Sequence, residues 1–90
     1  MENQHRYIKG YRELTQVEID LMNRIKEKQR EMLALHEEVI LYLQNQGVNA
    51  TPETTEHLLR TTPLRWAAIA KTDIQTGTMA LVRAVAQPSD

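Results

Sequence analysis

The segment HRYIKGYREL, His5 to Leu14, sets Arg6, Lys9 and Arg12 together with Tyr7 and Tyr11 around Gly10. A cation pairs with phosphate while a tyrosine face stacks on a nucleobase, and such stacking contributes about 1–3 kcal/mol per base. Gly10 lets the backbone turn or approach a ligand closely. A plainer reading has Tyr7, Ile8, Tyr11 and Leu14 docking a short leading helix onto the rest of the chain while the cations stay solvated. Farther along, Lys26 stands between Ile25 and Glu27 at the edge of an apolar stripe. A lysine so placed either snorkels its stem over the core or holds a positive charge ready for an anion. A third stretch, RWAAIAKTDIQTGTMA from Arg65 to Ala80, gathers Lys71, Thr72, Gln75, Thr76 and Thr78 on a few turns. Gly77 within it costs a helix about 1 kcal/mol relative to alanine. With Ala67, Ala70 and Ala80 it makes a small-residue path that permits close backbone approach.

Enzymatic constellations are missing. Cysteine is absent, the only serine is Ser89, and neither a glycine-rich phosphate loop nor an HExxH motif occurs. His5, His36 and His57 are far apart in sequence, and only Glu53 with His57 stands four residues apart. Two groups make a poor metal site, and a surface pair on one helix turn explains them. The expectation is a protein without catalysis, metal or cofactor. A net charge of −1 argues against coating duplex nucleic acid, which requires many phosphates to be neutralised, but leaves small anionic ligands open.

The elements that must position these groups are helical. Thr15-Gln-Val-Glu18 has the capping-box form and opens a stretch free of proline and glycine until Gly47. A helix from about Gln16 to Gln46 is expected, with Leu21, Met22, Ile25, Met32, Leu35, Val39, Tyr42 and Leu43 on one buried face. Gly47 reads as the left-handed residue that stops it. Thr51-Pro52 then restarts a short helix from Glu53 to about Thr61, threonine as cap and proline in the first turn. Thr62-Pro63 repeats that signal for a helix from Leu64 to about Ala86, with Ala67, Ala70, Ile74, Leu81, Ala84 and Val85 on its apolar side, ended by Pro88.

The expected fold class is therefore all-α. A single domain over 1–90 would hold an N-terminal arm or short helix (1–14), a long helix (15–47), a short connecting helix (51–61) and a second long helix (63–87). A short link makes the long helices an antiparallel hairpin. Ile19, Leu33, Ile40, Leu64, Trp66, Ile69 and Val82 cannot all face one partner helix, so a compact homo-oligomer is expected. The small chain argues the same way, since one of this size buries only about 60% of its unfolded surface. No run approaches the roughly 20 apolar residues of a membrane span, and the N-terminus lacks a signal-peptide core, so a soluble intracellular protein is expected.

Two runs, GYRELTQVEIDLMNRIK and PLRWAAIAKTDIQTGTMALVRAVAQP, carry a family resemblance. From about Asn3 to Pro88 the chain resembles the small bacteriophage anti-CBASS proteins of the helical-hairpin sponge type. CBASS is a bacterial defence in which infection triggers synthesis of a cyclic oligonucleotide that activates a killing effector. The resemblance implies a homo-oligomer, typically a hexamer, that binds cyclic dinucleotides without cleaving them in the cytoplasm of the infected host. Carried over to this sequence, the tyrosine of GYREL is Tyr11, stacking on a base, and the lysine of LMNRIK is Lys26, contacting phosphate. Lys9 and Arg12 stand near as helpers. For some members the resemblance also implies a separate site for cyclic trinucleotides, here the region of Arg65, Trp66, Lys71, Thr72 and Thr76. The rival reading is a helical-hairpin adaptor or structural protein that binds other proteins through its apolar faces, with the N-terminal tyrosines merely packed.

Overall fold

The computed structural model describes residues 13–89. Lys9, Tyr11, Arg12 and nearly all of the expected arm lie outside the described residues. Within them the chain forms α1 (Gln16–Gly47), α2 (Pro52–Thr61) and α3 (Pro63–Ala86), with no strand. Helix α1 starts where its chemistry dictates. The Thr15 side chain accepts from the Glu18 N–H at 3.1 Å, and the Glu18 carboxylate accepts from the Thr15 N–H at 2.8 Å. Such a cap stabilises a helix by about 1 kcal/mol. Thr51 caps α2 in the same way through the Thr54 N–H, with Pro52 in the first turn.

Two of the expected boundaries, the stop at Gly47 and the start at Thr62, work differently. Gly47 is the last helical residue rather than the left-handed one; Val48 caps in an extended conformation and Asn49 takes the positive φ of 57°. Asparagine tolerates that conformation better than most residues, so the turn needs no glycine there. Thr62 makes no side-chain cap for α3. It is itself left-handed, with φ 45°, and it joins the last two helices. Its N–H bonds Leu58 O while its own carbonyl accepts from Arg65 and Trp66. Two helices share one residue, and a β-branched residue at positive φ is the strained cost of that tight join.

Helices α1 and α3 pack antiparallel, with Ile25 beside Thr78 at the open end and His36 opposite Ala67 nearer the connector. The seam differs from the stripe expected on α1. Met22, Ile25, Leu33, His36, Ile40 and Leu43 are half-buried, whereas Met32 and Leu35 are each 50% exposed and Tyr42 65%. Leu33, Ile40 and Val82, assigned to an outer side by spacing alone, belong to the seam. Apolar residues cover well over half of the circumference of α1, so three- and four-residue steps can be threaded through them in more than one way. The register is decided by α3, whose facing row is Ala67, Ile74, Thr78, Val82 and Val85. Among the described residues Ala67 alone is buried, and no large side chain is fully covered.

Candidate functional site

The seam runs between two grooves. Toward the open end one groove has a volume of about 400 Å³. Ile25, Met79 and Val82 form its apolar floor, and Lys26, Gln29 and Gln75 stand on its rim. Thr78 also lines it, but its hydroxyl is spent, donating to Ile74 O at 2.7 Å and lying 3.2 Å from Gln75 O. The polar groups left for a ligand are therefore one ammonium and two carboxamides. The volume falls in the lower part of the range of roughly 300–1,000 Å³ for small-molecule sites.

Lys26 differs from its cationic neighbours on α1. Lys28 pairs with Glu31 at 3.4 Å and Arg30 with Glu27. Among the described residues Lys26 makes no ion pair, because Met22, Asn23, Gln29 and Arg30, its neighbours at three and four residues, include no carboxylate. An ammonium with no partner among the described residues, set beside an apolar floor, suits an anion. Lysine suits phosphate as a compact point charge.

Gln29 escaped the reading from sequence. It occupies a seam position, four residues after Ile25 and four before Leu33, where the pattern calls for an apolar side chain. That interruption, three residues after Lys26, was the available signal. His36 interrupts the same seam but is accounted for internally: its Nε2–H donates to Ala67 O at 2.8 Å, pinning α1 to α3. Its Nδ1 is buried and unpartnered.

The second group of candidates does not converge within one protomer. Arg65, Thr72 and Thr76 are seven and four residues apart and so share one exposed face of α3, turned away from α1. Trp66, 59% exposed, projects to one side of that face, and Lys71, exposed, is four residues after Ala67 and seven before Thr78 and so lies along the row that faces α1. The Arg65 guanidinium lies over the Trp66 ring, 5.2 Å from its centroid, a cation–π contact. Arg65 also borders a cleft of about 430 Å³ between the end of α1, α2 and the start of α3. Thr72 donates to Ala68 O at 3.4 Å. Glu53 and His57 share α2, and no ion pair between them is present among the described residues.

On the far side of the seam from Lys26, Met32, Leu35 and Val39 of α1 and Ala70 and Ile74 of α3 form a second groove with no polar lining apart from the pinned His36. It continues toward the open end through Leu21 and Leu81, where Arg24 and Lys28 edge it.

The helical hairpin has a counterpart among known protein families. The family model described as Acb2/Tad1, hairpin domain, matches residues 4–86. The chain belongs to the Acb2/Tad1 hairpin family. It is 50% identical over 105 aligned residues to the anti-CBASS protein 2 of Pseudomonas phage JBD67, covering 98% of this chain and 97% of that protein. The match of this Acb2/Tad1 chain to its relative thus spans both long helices, the connector and the residues before α1.

Proposed function

We propose that this protein is a phage anti-CBASS factor that binds cyclic dinucleotides in the cytoplasm of the infected host and withholds them from the CBASS effector. The observation that carries the reading is Lys26, an ammonium without a partner among the described residues, on the rim of a concave groove. The name of its relative, anti-CBASS protein 2, gives that groove a biological setting. The mode of action is sequestration, not catalysis: affinity and abundance suffice, since a bound messenger is withdrawn by mass action.

A cyclic dinucleotide carries two bases and two phosphates in near two-fold symmetry. A site on a dimer axis offers each half the same equipment, with Tyr11 stacking on a base, Lys26 meeting a phosphate, and Lys9 and Arg12 close by. Net acidity is no obstacle, because two phosphates need only a few well-placed cations. Nanomolar affinity corresponds to about −12 kcal/mol, within reach of two stacked bases and two desolvated charge pairs. The assembly is a homo-oligomer, in our reading a hexamer. A protomer with so little buried side-chain surface and with Met32, Leu35 and Tyr42 half or more exposed gains its missing core from other copies. Across such contacts Arg65, Trp66, Lys71, Thr72 and Thr76 of different copies would be gathered into a second pocket suited to cyclic trinucleotides.

The test is calorimetric titration with cyclic dinucleotides, cyclic trinucleotides and linear controls. Tyr11→Ala and Lys26→Ala are each expected to weaken cyclic-dinucleotide binding at least about tenfold, or 1.4 kcal/mol, with the assembly intact. Unchanged affinity in both variants removes the site. The exposed apolar groove favours one rival, an adaptor that binds other proteins. An adaptor ignores the whole ligand panel.

A further inference from the structure

We infer that Lys71 is a second phosphate-binding cation of the Lys26 groove. The inference rests on the sequestering function proposed above and moves Lys71 from the company of Arg65, Thr72 and Thr76 to the site that takes cyclic dinucleotides.

On α3 the residues Ala67, Lys71, Gln75 and Met79 stand four apart, and a four-residue row drifts slowly around a helix. The row starts at the seam with buried Ala67 and ends at Gln75 and Met79, which line the Lys26 groove. Lys71 is the step between them. Val82, eleven residues after Lys71 and so nearly three full turns away, belongs to the same groove. The apolar groove on the other side takes Ala70 and Ile74 from these turns, and not Lys71. With His36 opposite Ala67 and Ile25 beside Thr78, the antiparallel register sets Lys71 abreast of Met32. Lys71 is then six residues, or about 9 Å, from the level of Lys26 along the seam.

The described lysines are Lys26, Lys28 and Lys71, and only Lys28 has a carboxylate partner among the described residues. Ala67, Ala68, Ile74 and Gln75, three and four residues from Lys71, include no carboxylate, and among the described residues Lys71 makes no ion pair. Two like charges thus stand on one side of the seam, with the carboxamides of Gln29 and Gln75 at the levels between them. Their repulsion is relieved when an anion lies between them. A phosphodiester suits that place. Its two non-bridging oxygens can each accept from one ammonium, and the flexible four-carbon stems of lysine close a gap of this size from both ends. Neither lysine reads a base, so the pair strengthens binding of any ligand that sets a phosphodiester over the groove.

The experiment measures affinity by calorimetry for the tightest-binding of cyclic di-AMP, cyclic di-GMP and cyclic GMP-AMP, and for cyclic tri-AMP. Wild type is compared with Lys71→Ala, Lys71→Arg and Lys28→Ala, and sedimentation follows the assembly. Lys71→Ala is expected to weaken cyclic-dinucleotide binding by at least about fivefold, the loss of one charge-assisted contact. Lys71→Arg keeps the charge and recovers most of that loss. Lys28→Ala stays within about twofold of wild type, its charge being spent on the exposed surface. Cyclic tri-AMP affinity changes less than that for the dinucleotide in Lys71→Ala. Unchanged dinucleotide affinity in Lys71→Ala overturns the inference. A loss confined to cyclic tri-AMP also overturns it and returns Lys71 to the second pocket, and a loss that accompanies dissociation of the assembly makes Lys71 a subunit contact instead. Binding of none of the three dinucleotides by the wild type overturns the sequestering function itself, an outcome distinct from these.

Discussion

The two grooves that flank the hairpin seam are built from the same two helices and differ in what they leave unsatisfied. On one side Lys26, Gln29 and Gln75 present polar groups without partners among the described residues, above Ile25, Met79 and Val82. On the other, Met32, Leu35, Val39, Ala70 and Ile74 present apolar surface, and the one polar group, His36, is already bonded to Ala67. Unmet hydrogen-bonding and charge call for a polar ligand, whereas uncovered hydrocarbon calls for another protein surface. Under the proposed function, the hairpin would separate ligand binding from association by rotation about a helix axis.

The strongest way to break this contrast is to exchange the character of the two sides. Leu35→Asp puts a charge in the apolar groove and is expected to weaken assembly by at least about 3 kcal/mol, because desolvating an unpaired charge is costly. Sedimentation would then show protomers at concentrations where the proposed assembly has the wild type associated. Loss of ligand binding with assembly intact would reverse the assignment of the sides. A smaller effect is expected at the pin between the grooves. His36→Ala removes a hydrogen bond and part of the seam and should cost about 2 kcal/mol, with the thermal midpoint falling about 4–8 °C per kcal/mol. Next comes the contrast between neighbouring cations. Lys28 is paired with Glu31 on the exposed surface, so Lys28→Ala should change ligand affinity less than about twofold against the tenfold loss expected for Lys26→Ala. Equal losses would mean that the charge of the helix, and not its place in the groove, attracts the ligand.

The sequence made the local punctuation legible and the pairing only partly so. The Thr15–Glu18 box and the Thr51-Pro52 start are decided by residues within one turn, and both caps are present in the structure. Thr62 and Asn49 could not be assigned that way, since their positive φ follows from how α2 and α3 must meet and how α1 must leave. The seam was ambiguous because α1 carries apolar residues on two stripes, and only the row running from Ala67 to Val85 chooses between them. The neighbourhood of Lys26 was open to inspection, because the lack of a carboxylate three or four residues away is a property of spacing. What spacing alone did not reveal is that Gln29 shares a groove with Gln75, a fact of the register between α1 and α3.

Gly77 gives the smallest effect and the finest test of how far the apolar side extends. It is exposed in mid-α3, seven residues from both Ala70 and Ala84 and hence on their face of the helix. A Cβ built there meets nothing within 4 Å. In a lone protomer Gly77→Ala should therefore gain about 1 kcal/mol of helix propensity. The glycine relieves no crowding in its own chain, so its cost is offset only if a neighbouring copy approaches that backbone closely. We expect Gly77→Ala to lower the midpoint and raise the dissociation constant of the assembly severalfold, read by dilution in sedimentation experiments. A higher midpoint with unchanged association would place Gly77 outside the subunit contact, confining the contact to the stripe between Met32 and Tyr42 and leaving the glycine on open surface.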